Sequence, residues 1–303
     1  MMRVDFDALA RDEMIRLHRS TQLASLDAGR WYTGCSDGAT RVYVVRARRL
    51  RTDSTPLDAL GLFVKRAGQI TIQLDGTLVA RRPSGEHTID RGSIAVDPHL
   101  RWNERWIGPS FRALVVEWDC PAGPPPPALA LAPLSARDHA RLSNVADAIE
   151  QHADRDRSIN AVTELDAALR ALGLPSNGLR SLATSTESPR DIATADLLSS
   201  MRSSLGSQPA WIDGVSATGR SERQLRRDVT ALLSRLQMPT TSLRSLRARE
   251  RLVSAAQLLS VKGVTVAEVA RCVGFGSSRA LSIALERAAL PTATAIMALA
   301  RDG

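Results

Sequence analysis

The sequence predicts an α+β, multidomain chain: a small β-barrel of the jelly-roll kind, a helical connector, and a C-terminal all-α domain holding two helix-turn-helix motifs. Three observations carry this. Apolar residues alternate with period two from about Arg41 to Asp119, they change to helical spacing after a run of prolines, and beyond Asp191 no strand candidate occurs while arginines concentrate. With 303 residues, 44% of them hydrophobic, the chain can bury a core in each of two domains.

The barrel is expected over residues 1–120, with an N-terminal helix. In "QITIQLDGTLVARR" Ile70, Ile72 and Leu74 alternate, Asp75-Gly76 offers the positive backbone angles of a tight turn, and Leu78 and Ala80 resume, which predicts a hairpin. "RVYVVRA" and "LGLFVKR" before it, "GSIAVDP" and "FRALVVEWD" after it, are short apolar runs between turn residues. Residues 121–134 form a proline-rich linker, stiff because each ring fixes its backbone angle. A helical connector follows over 135–175: Leu142, Val145, Ala146 and Ile149, then Val162, Leu165, Ala168, Leu169 and Leu172, mark an antiparallel helix pair. Its apolar stripe is more than a short hairpin can bury alone, which predicts a dimer contact there or in the barrel.

The all-α domain is expected over 191–303. Between Arg220 and Arg251 nine arginines face only Glu222, Asp228 and Glu250, so the overall charge of +8 has a local source. Only Lys65 and Lys262 are lysines; arginine suits phosphates and base edges better, although a GC-rich genome would also favour its codons. "GRSERQLRRDVTALLSRL" opens with Ser221 three residues before Gln224, a capping box. Leu225, Val229, Leu232, Leu233 and Leu236 share one face of the helix, and Arg223, Arg226, Arg227 and Thr230 the other. Upstream, "PAWIDGVSAT" predicts a preceding helix that Gly219 closes. The plan recurs in "GVTVAEVARCVGFGSSRALSIALERA": Thr265 and Glu268 cap one helix, Gly274 ends it, and another starts near Ser277. "GFGSSRA" superficially matches a dinucleotide fingerprint, but a helix precedes it and the last glycine is absent.

The stretch "RLVSAAQLLSVKGVTVAEVARCVGF", Arg251 to Phe275, together with "GRSERQLRR", resembles the DNA-binding domain of the AraC/XylS transcription regulators, and the resemblance spans roughly residues 200–297. It implies two helix-turn-helix motifs, base contacts from Arg223, Arg226 and Arg227, and a second set at Ser278, Arg279 and Ile283. The family usually has arginine where Ile283 stands, an apolar residue at Gly214, and aromatics in place of Leu285, Ala289 and Ile296; several residues are also inserted between Leu225 and Arg251. By the same analogy the barrel looks like a cupin-like sensor domain.

Other chemistry is sparsely supported. Cys35, Cys120 and Cys272 have no metal or disulfide spacing, and no "GxxxxGK", "HExxH", "CxxC" or "GxSxG" occurs. His87 and His99 are isolated, so neither a metal nor a cofactor is expected. Trp102, Trp106, Trp118 and Phe111 could line an apolar pocket, but core packing is the commoner role. With no apolar leader and no membrane-spanning stretch, a cytoplasmic chain is expected. The reading is a sequence-specific regulator, not an enzyme, reading major-groove bases mainly through the first helix. Its expected partners are double-stranded DNA, a small-molecule effector, a second copy of the chain and RNA polymerase. A protein-interaction scaffold with a decayed DNA-binding domain, or a metal-free cupin-like enzyme, are the alternatives.

Overall fold

A computed structural model of the chain describes residues 15–23, 28–36, 40–48, 67–82, 85–97, 103–119, 130–151, 155–176, 178–184, 194, 197, 219–235, 243–259, 261 and 263–301. Its first half is an antiparallel sheet of β1 (Ile15–Leu23), β2 (Ala28–Ser36), β3 (Thr40–Arg48), β4 (Ala67–Arg82), β5 (Gly85–Ile89), β6 (Ser93–Asp97), β7 (Asn103–Asp119) and β8 (Ala130–Pro133). The order is β1-β2-β3-β7-β4-β6-β8, with β5 on the second half of β4. Residues 15–23 and 28–36 are therefore two paired strands, so the expected N-terminal helix falls on residues 1–14, outside the described ones. The expected strand "LGLFVKR" also lies outside them. Residues 130–133, the end of the expected linker, pair with β6 and extend the sheet.

The hairpin expected at Asp75-Gly76 is not formed. β4 runs through both residues, and its register against β7 shifts between Gln73 and Asp75 and again before Thr77. Gly76 has φ +73° and lies so close to β7 that a Cβ there would stand 2.2 Å from the Ser110 carbonyl oxygen. The dipeptide that favours a turn here makes a bulge, which bends one long strand instead of reversing it.

Side-chain alternation splits the sheet into two faces. Val42, Val44, Ile70, Ile72, Leu74, Ile94, Leu114 and Val116 form one core with Leu142, Val145, Ala146 and Ile149 of α1 (Ala136–Glu150), Val162, Leu165, Ala168 and Leu169 of α2 (Arg155–Ala171), and α3 (Leu179–Thr184). The connector's apolar stripe is thus covered by the sheet of its own chain. That corrects the argument that it needs a second copy. Arg112 reaches both Asp147 and Glu150, and Arg46 reaches Glu150, which fixes α1 over β3 and β7. Phe111 is core on the other face and Trp118 packs with the helix-covered one, so these two aromatics do not line a common pocket.

The second face is polar at one end. Arg41, fully buried, donates from Nε to Glu117 Oε2 at 3.0 Å, and the Tyr43 hydroxyl donates to Glu117 Oε1 at 2.5 Å. The register puts Gln69, Thr71 and Gln73 on the same face, all buried.

The second half is helical: α4 (Glu222–Arg235), α5 (Leu243–Leu259), α6 (Val266–Cys272), α7 (Ser278–Arg287) and α8 (Ala293–Arg301). The last two turns of α5, Leu252 to Leu259, are buried on all sides, and α5 packs against α4, α6, α7 and α8. Leu252, Val253 and Leu259 share a core with Val269, Val273, Leu281, Leu285 and Ile296 and, on the sheet, with Val45, Ala113 and Val115. Among the described residues no helix is long and apolar enough to cross a membrane.

Candidate nucleic-acid interface

The capping box expected at the start of α4 is present: the Gln224 amide donates to Ser221 Oγ at 3.3 Å, and the Ser221 amide to Gln224 Oε1 at 3.0 Å. Two otherwise orphaned N–H groups are satisfied, so the helix begins where its basic face begins. Leu225 and Val229 are buried, which turns Arg223, Arg226, Arg227 and Thr230 outward, all four exposed. Leu232, Leu233 and Leu236 and the expected preceding helix, 209–218, lie outside the residues whose side chains are described.

The four outward residues are not equivalent. Arg226 pairs with Glu222 one turn earlier, and the Thr230 hydroxyl donates back to the Arg226 carbonyl at 2.9 Å. Arg223 and Arg227 have no ion pair among the described residues. Arg220, at the helix entry, holds Asp228 at 2.9 Å and so shields the array from that carboxylate. The spacing of Glu222 and Arg226 is the sequence signal for the first pairing, and the sequence reading did not use it.

Downstream, α6 begins with the other expected capping box. Thr265 donates its amide and hydroxyl to Glu268 Oε2, both at 2.8 Å, and the Glu268 amide returns to Thr265 Oγ at 3.2 Å. Hydrogen bonds from the Thr265 side chain and backbone hold the Glu268 carboxyl below the usual carboxylate range. The helix ends at Gly274, φ +82°, with the Phe275 amide bonded to the Ala270 carbonyl at 2.7 Å, a left-handed close that suits glycine. Ser277 then caps α7. Leu281 and Leu285 are buried, Arg279, Ser282 and Ile283 exposed, and Ser278 half-buried; Ser282 bonds back to the Ser278 carbonyl at 3.0 Å. Ile283 is 38% exposed, one of two large hydrophobic side chains standing free among the described residues.

Each site residue expected from the sequence thus lies on α4 or α7, on the face away from the core. What the sites offer chemically is a row of guanidinium donors on α4 and a mixed, weakly charged face on α7. Among the described residues no three His, Cys, Asp or Glu converge as metal ligands; His87 is half-buried on β5, and His99 lies outside them.

No family model matches the chain, and no curated protein does. Among solved structures, ToxT from Vibrio cholerae is 11% identical with a TM-score of 0.31, over 85% of this chain and 98% of its own. ToxT from strain SCE256 with an unsaturated fatty acid bound gives 11% and 0.31, over 86% and 95%. The AraC-like transcriptional activator CuxR gives 10% and 0.28, over 75% and 81%. Residue roles rest on the geometry described above.

Proposed function

We propose that the chain is a DNA-binding transcription regulator of the AraC/XylS kind that reads duplex DNA chiefly through α4. The observation that carries this is the exposed arginine face of α4, set opposite its buried Leu225 and Val229 and started by its own capping box. In this reading α4 and the segment before it form one helix-turn-helix motif, and α6, the Gly274 turn and α7 the second. The sheet with its helices is a cupin-like sensor. Arg223 and Arg227 supply forks to guanine edges, Arg226 joins them once DNA competes with Glu222, and Thr230 supports the helix rather than reading a base. Ser278, Arg279 and Ile283 make the weaker contact. The partners proposed are duplex DNA, a second copy of the chain and RNA polymerase in the cytoplasm, with no catalysis.

An effector belongs, in this reading, on the polar face of the sheet. Gln69 Oε1 and Gln73 Oε1 are buried there without a hydrogen-bond partner, and each such acceptor costs about 1–3 kcal/mol until a donor fills it. The runner-up function, a protein-interaction scaffold, has one observation in its favour, the exposed Ile283 on α7.

The test is binding of the full chain to the DNA flanking its own gene against an equal excess of unrelated duplex. The regulator reading expects a preference of at least about a thousandfold. Equal affinity for both would leave the scaffold reading standing.

A further inference from the structure

The nine arginines between Arg220 and Arg251 do not all lie on α4. Arg244, Arg247 and Arg251 stand at i, i+3 and i+7 on α5, one helical face spanning about 10 Å. α5 also packs against both α4 and the α6–α7 pair, so it lies between the two candidate DNA contacts.

Two of the three side chains, Arg247 and Arg251, differ from ordinary solvated arginines. The Arg251 guanidinium stands over the Phe275 ring, 5.9 Å from its centroid, beside the turn that leads into α7. That stacking anchors it, and its Nε is buried with no hydrogen-bond partner. Arg247, one turn earlier, is half-buried, and its pKa is pushed down first by burial and then by repulsion from Arg251. Arg244 completes the row and is exposed, and neither it nor Arg251 has an ion pair among the described residues. Neighbouring guanidiniums held half-desolvated are costly alone and favourable beside a regular row of anions. Duplex DNA presents such a row, one negative charge per roughly 1.7 Å of its axis.

We propose that Arg244, Arg247 and Arg251 form a phosphate track on α5, which grips the DNA backbone between the segments contacted by α4 and α7 and carries no base preference. The inference rests on the DNA-binding reading above and adds a partner surface to it. An acidic protein surface is the competing occupant.

The experiment measures affinity of the full chain for a mixed-sequence duplex of roughly 40 base pairs, about four helical turns, at about 50 and 200 mM salt. Each of Arg244→Ala, Arg247→Ala and Arg251→Ala is expected to shrink the salt-induced loss of affinity by roughly threefold, one phosphate contact's worth. Lysine at the same positions should restore most of it, and Arg91→Ala, exposed on the sheet domain, should change nothing. Arg244→Ala removes an exposed side chain and serves even if Arg251→Ala unfolds. Wild-type salt dependence in Arg244→Ala and Arg247→Ala would overturn the track and assign the row to another partner. So would a loss that lysine does not restore, because it would mark a packing role. A wild-type chain that binds no duplex at low salt would instead defeat the DNA-binding reading itself.

Discussion

Among the described residues Arg223 and Arg227 have no ion pair to break before meeting a ligand, whereas Arg226 must first leave Glu222. An exposed pair of this spacing is worth only about 0.3–0.5 kcal/mol, less than the about 1–3 kcal/mol of a bidentate contact to guanine, so in the proposed reading DNA would win that competition. Two outcomes follow in a binding titration. Arg223→Ala and Arg227→Ala should each weaken specific binding by about 1–3 kcal/mol. Glu222→Gln should tighten it, because it releases Arg226 and removes a negative charge from the face. Weaker binding by Glu222→Gln would mean that the pair orients Arg226 rather than occupying it. Ile283 decides the role of α7. It is exposed, so Ile283→Arg buries no charge and should leave the melting temperature unchanged. On DNA it should tighten binding and steepen the salt dependence by about one phosphate. An unaltered affinity would take α7 off the DNA.

At the scale of elements, the helix starts were the most legible feature of the sequence, because a capping box is a local device: Ser221 with Gln224 and Thr265 with Glu268 need no tertiary information. The strand pattern was legible for β3, β4 and β7 but not its connectivity. Asp75-Gly76 is a turn signal by propensity, and only the approach of β7 makes it a bulge. β1 opens with Ile15 and Leu17 but continues in a polar run from His18 to Gln22, and β2 sets Trp31 beside Tyr32 among small and polar residues, so neither strand sustains the alternation that would mark it in the sequence. Glu268 gives a pH test. Its folded pKa lies below its unfolded one, so its contribution is complete above the ordinary carboxylate pKa of about 4.3 and is lost as pH falls through the folded value. Glu268→Gln should therefore melt below wild type at about pH 7, and the gap should close as pH falls through that range. A gap independent of pH would contradict this account of the α6 cap. Likewise Leu165→Ala, at a fully buried site in the core that α1, α2 and α3 share with the sheet, should cost about 2–5 kcal/mol in denaturant unfolding. It should not change the molecular weight in solution. Dissociation of a dimer by this substitution would restore the connector as an interface.

Over the whole molecule, α1 and α2 cover one sheet face, and residues of α5–α8 share a core with the other. In the proposed reading, the sheet as sensor and the helical half as DNA contact would be coupled through packing alone, since an occupied polar face beside Val45 and Val115 bears on the same cluster as Leu252 and Leu281. That continuity was invisible in the sequence, where the two halves are separated by a proline-rich run and a connector. The most direct test of the account is a footprint of the full chain on its own upstream DNA, with affinity followed against salt. The account predicts protection across two successive major grooves about one helical turn apart, a log–log salt slope of several units, and loss of one groove's protection in Arg223→Ala with Arg227→Ala. Absence of a footprint at about 50 mM salt, or one that these substitutions leave intact, would contradict it.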